Sequence, residues 1–272
     1  MDRRFRFGVV AEPEYTGERW RAVARRAEEL GYSTLLMPDG LQLLAPLPAV
    51  AVAAAVTSTL RVGTFVLAST VRPPRTAAWE AHSLAVLTDD RFELGIGTGN
   101  RWVNRAAVEE IGMPETTPGQ RLDLVRRTVA HLRALETTTR TPVMIAAGGP
   151  RSRALAGELA DVVTFAHGPY AGRGEVEGMI GDVEQAAGGR DVEYCMNVLV
   201  VGEVIPQRLV PLVGDDHGAL VEADSMYLLR GTPRQMADEI QRRRDALGFS
   251  YVTVNALYPE EFAPVVELLA GR

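Results

Sequence analysis

Two glycine clusters are the places where this chain's backbone could meet an anion. "RFELGIGTGN" (91–100) sets Gly95, Gly97 and Gly99 at alternate positions behind an apolar run. Where no Cβ intervenes, successive N–H groups can turn toward one phosphate, although the same spacing suits an ordinary tight turn at a strand end. The second cluster, "AAGGPRSRALAGELAD" (146–161), puts Gly148 and Gly149 directly before a helical pattern, with Arg151 and Arg153 in its first turn. A helix N-terminus attracts negative charge, so this loop is competent to hold a phosphate as well.

Two carboxyls are the candidates for proton transfer. Asp39 closes the strand-like "STLLMPD" (33–39), and Glu12 lies just beyond "FRFGVV" (5–10). Desolvation could raise Asp39 into the range of a working acid, and Glu12 could orient substrate or act as an acid; the structural alternatives are a helix cap or Asx turn for Asp39 and a solvated loop position for Glu12. His167 also follows a strand, but as a lone histidine it defines no site. Cys195 is the one cysteine, and His82, His131, His167 and His217 have no ligand spacing, so neither a disulfide nor a protein-bound metal is expected. No Ser-His-Asp or Cys-His set is evident, which favours chemistry without a side-chain nucleophile.

The elements that must position these groups alternate along the chain. Strand-like runs at 5–10, 33–39, 60–69, 91–99, 142–149, 161–167, 192–201 and 250–256 are each followed by a helical pattern. "GERWRAVARRAEELGY", for example, keeps Trp20, Val23, Ala24, Ala27 and Leu30 on one face and stops at Gly31. Eight such units without a hairpin signal predict parallel strands and a (β/α)8 TIM barrel of the α/β class, a single domain over 1–272. Segments 101–116 and 202–231 are surplus to the repeat, and both follow strands, so they are expected as insertions at the C-terminal face.

With 46% apolar and 24% charged residues the chain is of globular composition. A net charge of −6 argues against a nucleic-acid surface, and no apolar run is long enough to span a membrane or serve as a secretory leader, so a cytoplasmic enzyme with a small-molecule substrate is expected. "FELGIGTGN" also resembles the first motif of S-adenosylmethionine-dependent methyltransferases. No strand with a ribose-binding acid follows it in 101–121, however, and the motif falls in the fourth unit rather than the first.

Taken together, "ARRAEELGYSTLLMPD", "LAVLTDDRFELGIGTG", "PVMIAAGGPRSRALAGELADVV" and "LRGTPRQMADEIQRRRDALGFSYVTV" resemble the bacterial luciferase-like oxidoreductases, in particular the subgroup that uses coenzyme F420. The resemblance implies a redox ring lying across the strand ends. It also implies a bulge with a non-prolyl cis peptide near Thr64, Phe65 and Val66, with Phe65 or Val66 buttressing the ring. Gly97, Thr98, Gly99 and Asn100, and separately Ala147, Gly148, Gly149, Pro150 and Arg151, are implied to hold the cofactor's ribityl and phosphate portion. Asp39 and Glu12 are implied at the catalytic end. Gly40 stands where many relatives carry a histidine, Pro73 where they often carry another, and Trp79 where lysine is common. The expected activity is F420-dependent hydride transfer, as in reduction of a C=C or C=N bond. The alternatives are an FMN-dependent monooxygenase and a catalytically degenerate cofactor-binding relative. A homodimer is common in proteins of this resemblance.

Overall fold

A computed structural model describes residues 3–12, 16–138 and 140–272. The chain alternates strands and helices in the order β1 (Arg6–Val10), α1 (Gly17–Glu29), β2 (Thr34–Met37), α2 (Pro46–Ala55), β3 (Arg61–Thr64), β4 (Leu67–Ala68), α3 (Pro74–Leu87) and β5 (Phe92–Gly97). It continues with α4 (Arg101–Glu109), α5 (Pro118–Leu135), β6 (Val143–Ala147), α6 (Pro150–Leu159), β7 (Val162–Phe165), α7 (Arg173–Ala187) and β8 (Glu193–Val198). The last third contains β9 (Val200–Val201), α8 (Val210–Val213), α9 (His217–Glu222), β10 (Leu228–Leu229), α10 (Pro233–Leu247), β11 (Phe249–Asn255) and α11 (Pro259–Leu269).

The sheet runs β3-β2-β1-β11-β8-β7-β6-β5-β4, and β3 also pairs with β5, so it closes on itself. Every pairing is parallel. β3 and β4 are two pieces of one wall position, so the expected eight-unit barrel is the fold. The helices start where the sequence supplies caps. Thr117 and Thr232 each accept from the backbone of a glutamine three residues on, Gln120 and Gln235, whose side chains reach back in return. Gly188 and Gly248 end α7 and α10 in the left-handed conformation.

Two apolar layers hold the barrel. Outward strand residues such as Val9, Leu35, Ile96 and Val163 pack under the helices. Inside, Leu36, Met144, Val162, Cys195 and Tyr251 fill the middle, joined by Val10, Phe65 and Val66 near the mouth. Burial raises the Cys195 thiol well above its ordinary value, so it is an inert packing group. The N-terminal end of the barrel is closed by charge. Arg6 bonds Glu193 through Nε and Nη2 (2.7 Å) and Glu93 through Nη1 (2.8 Å), and lies 3.6 Å above the Tyr251 ring. Arg61 also bonds Glu93, and Ser250 bonds Glu193.

A second device fixes the α2–β3 turn. Glu28 Oε1 accepts from the backbone N–H groups of Ser58, Thr59 and Leu60 and from the Thr59 hydroxyl. Burial works against the charge, but these donors hold the Glu28 carboxyl down at about 2. A carboxyl with a depressed folded-state pKa stabilises above its unfolded pKa and loses that contribution as pH falls. Glu28→Gln is therefore expected to lower stability by about 1–2 kcal/mol at pH 7 and to flatten the loss between pH 4.5 and 2. Urea titrations at a series of pH values check this; parallel curves for both proteins would refute it.

Candidate active site at the barrel mouth

At the mouth, the strand expected over 60–69 is interrupted. β3 stops at Thr64, the Phe65–Val66 peptide is cis as the resemblance implied, and β4 resumes at Leu67. Thr64 holds the break from one side, donating its hydroxyl to the Gly95 carbonyl (2.6 Å) and accepting from the Gly95 N–H (3.1 Å). Phe65 and Val66 are half-buried and turn toward the barrel interior. Val66 lies directly over β5: a Cβ at Gly95 or Gly97 would fall 3.2 Å and 3.0 Å from its methyls. The missing side chains of β5 thus let this wall come close.

Asp39 anchors the other side of the break. Its Oδ2 accepts from the Ala68 N–H (3.0 Å) and from Arg72 Nη1 (2.7 Å), and its side chain is 3% exposed. Both donors come from the segment beyond β4, so the carboxylate ties the strand end to the loop and presents the Arg72 guanidinium at the rim. Glu12 is half-exposed and pairs with Arg208 of the long insertion. Sequence reasoning singled out neither Arg208 nor Arg72, because pairings across 196 and 33 positions leave no local signal.

The two glycine loops converge on the same rim. After β5, Gly99 adopts φ +69 and its carbonyl accepts from Asn104, whose Oδ1 in turn takes the Thr70 hydroxyl. Thr98 and Gly99 are half-buried, and Gly97 is buried. Asn100 caps α4, accepting from the N–H groups of Trp102 and Val103, so its side-chain oxygen serves the helix. After β6, Ala147 is fully buried in the ladder. The Gly148 N–H bonds Ser152 Oγ, and its carbonyl accepts from Arg153, which also pairs with Asp182. Gly149 is exposed at the N-cap of α6 with φ −83, and a Cβ there would meet nothing within 4 Å. Pro150 is exposed beside it, and the Arg151 guanidinium points to Gly119 at the start of α5.

The floor carries polar groups that the sequence reading did not single out. Thr253 donates to Asn197 Oδ1 (3.0 Å), and Asn255 accepts from the Leu257 N–H. These residues follow Cys195 and Tyr251 at two-residue steps, so strand parity alone would have placed them inside. His167, past the end of β7, stacks on Tyr227 of the insertion with ring centroids 4.2 Å apart. Its Nδ1 donates to the Gly168 carbonyl, and burial lowers the ring's pKa from its ordinary value.

Comparison with known proteins agrees with this geometry. The family model for luciferase-like monooxygenases matches residues 5–208. An uncharacterized protein of Mycobacterium tuberculosis is 31% identical over 125 residues, an alignment covering 37% of this chain and 42% of that relative, so the chain matches less than half of its length. Among solved structures, the coenzyme F420-dependent tetrahydromethanopterin reductase of Methanopyrus kandleri superposes with a TM-score of 0.72 at 16% identity, covering 98% of this chain and 99% of that one. An F420-dependent secondary alcohol dehydrogenase gives 0.75 at 16%, covering 98% of each chain. A riboflavin lyase with modified FMN gives 0.76 at 12%, covering 98% and 92%. At these identities the superpositions establish a shared fold. Among the described residues, no helix is long and apolar enough to cross a membrane.

Proposed function

The chain belongs to the luciferase-like monooxygenase family, and on that premise we propose that it is an oxidoreductase using coenzyme F420 to exchange hydride with a small organic substrate, most simply in reducing a C=C or C=N bond. The observation that carries the reading is the mouth itself: an apolar shelf of Phe65 and Val66 over a strand stripped to glycine, flanked by an open helix N-cap at Gly149. When bound, F420 supplies a two-electron hydride carrier. The chain's own residues then have separate tasks. Phe65 and Val66 support a planar ring, and the α6 N-cap with Gly148 and Gly149 favours a phosphate. Thr98 and Gly99 complete the rim on the opposite loop.

In this reading Asp39 orients rather than donates, because its carboxylate already accepts three hydrogen bonds, one from Ala68 and two from Arg72. Arg72 offers its remaining N–H groups to developing negative charge, and Glu12, ion-paired to Arg208 and half in solvent, orients substrate at the rim. Asn197 and Thr253 supply hydrogen bonds on the barrel floor.

Fluorescence titration with oxidised F420, FMN and S-adenosylmethionine tests the reading. F420 is expected to bind most tightly. Gly149→Asp sharpens the test, because aspartate is a favourable N-cap and the fold is preserved, yet its charge would face the phosphate. Affinity for F420 is expected to fall by about tenfold or more. Asp39→Asn should leave affinity nearly unchanged while turnover drops. Preferential FMN binding would move the activity to a flavin-dependent monooxygenase, and binding of neither cofactor would overturn the proposal.

A further inference from the structure

Outside the ring-binding face, the barrel carries a cavity of about 410 Å³ between β1, β11 and α1. Its walls include Val9, Ala11, Val23, Ala27, Ala256 and Leu257, and it also reaches Val10, Pro38 and Asn255, which lie at the C-terminal ends of β1, β2 and β11. The volume falls within the range of small-ligand sites. Each charged group at its edge among the described residues, Glu12, Arg26 and Arg208, already has a counter-charge. Glu12 and Arg208 pair across one side, linking the β1 loop to the long insertion. Arg26 is held by Glu260 through Nε and Nη2 (2.6 and 2.7 Å) and by Glu29. The Asn255 oxygen is committed to the Leu257 N–H.

Among the described residues, this largely apolar chamber bracketed by two satisfied ion pairs offers no uncompensated charge to an ionic ligand. It offers surface that gains from leaving water. Among the described lining residues, Asn255 keeps its amide N–H groups as polar donors at the end of β11. We propose that this cavity takes the apolar portion of an uncharged organic molecule, whose polar end points past Asn255 to the barrel mouth. That the occupant is the substrate rests on the oxidoreductase reading; that the cavity prefers an uncharged apolar ligand does not. The Glu12–Arg208 pair then forms the edge that an entering molecule passes, so the long insertion contributes to ligand selection.

The test uses the whole chain without added cofactor. Methyl-region NMR titrations with 1-butanol, 1-pentanol and 1-hexanol are followed at Val9, Val10, Val23 and Leu257. Affinity is expected to rise roughly fourfold per added methylene, the step that burial of one CH₂ corresponds to. Hexanoate is expected to bind at least tenfold more weakly than hexanol, since a carboxylate would be desolvated without a partner. Val23→Trp, which fills the chamber, should remove the response. Leu257→Trp at the exposed edge should reduce it with the fold untouched. An affinity that does not change along the series, equal binding of hexanoate, or shifts elsewhere than these methyls would overturn the proposal. F420 titration is read separately. Alcohol binding with neither F420 nor FMN binding would sink the oxidoreductase reading and leave the cavity assignment standing, whereas cofactor binding without alcohol binding would sink the cavity assignment alone.

Discussion

Gly95→Ala is expected to leave no native barrel, or a barrel destabilised by roughly 4 kcal/mol or more. The Cβ would be placed 1.9 Å from the Thr64 carbonyl oxygen and 3.0 Å from its carbon, so the obstacle is backbone and not a side chain able to rotate away. Nor can the backbone retreat. Thr64 is bonded reciprocally to Gly95, and β3 is held in register with β5 at Val62–Phe92 and Gly63–Glu93. A Cβ at Gly63 would itself meet the Glu93 carbonyl at 2.5 Å, so the strands approach closely at two successive layers. Gly97→Ala is the control: its nearest neighbours would be a Val66 methyl at 3.0 Å and the Ala146 methyl at 3.3 Å, with the Ala146 carbonyl oxygen at an ordinary 3.8 Å. It is expected to cost no more than about 2 kcal/mol. Circular dichroism and urea unfolding of the two variants check the contrast. A folded Gly95→Ala protein as stable as the parent would mean that β3 and β5 do not approach this closely.

Arg6→Met is expected to cost about 3–5 kcal/mol, the loss seen when one member of a buried charge cluster is removed. Glu93 and Glu193 are 3% and 7% exposed, and Arg6 contributes the hydrogen bonds to Glu193 and one of the two cationic contacts to Glu93. Without it, Glu193 keeps only the Ser250 hydroxyl among the bonds described. The guanidinium also covers the face of Tyr251, so packing is lost along with charge. Methionine fills part of that space, which separates the electrostatic loss from a simple void. Arg6→Met/Glu193→Met is expected to recover part of the loss, because a buried ion pair replaced on both sides by apolar groups is often neutral. Urea unfolding reads both. If the single variant lost less than about 1 kcal/mol, the cluster would have to be hydrated.

The fold was legible in the sequence because its signals are local and repeated. The strand-helix alternation, Thr117–Gln120, Thr232–Gln235 and the stop at Gly248 each lie within a few residues of the boundary they set. The interruption of β3 at Thr64 has no such signal: Phe65 and Val66 are ordinary strand formers, and only the family resemblance pointed to them. Asn100 shows a different limit. A short polar residue before a helix reads equally well as an anion ligand and as an N-cap, and the structure shows its oxygen capping α4. The α4 helix itself was treated as surplus loop, although its Val103 and Ala107 bury one face. Asp39 was found by position, but its bond to Arg72 is tertiary. The difference between a free acid and a clamped carboxylate lies in that bond.

The long insertion between β8 and α10 leaves and re-enters the scaffold at nearly one point. Val200 and Val201 pair in parallel with Leu228 and Leu229, and the Gly202 N–H reaches the Leu229 carbonyl. Arg243 of α10 grips the carbonyls of Met226 and Leu228 from below. Such a stapled base makes residues 203–224 an exchangeable cassette. Because its ends are already brought together, foreign segments of different length could be grafted there at little entropic cost, giving one barrel a range of differently shaped rims without redesign of the scaffold.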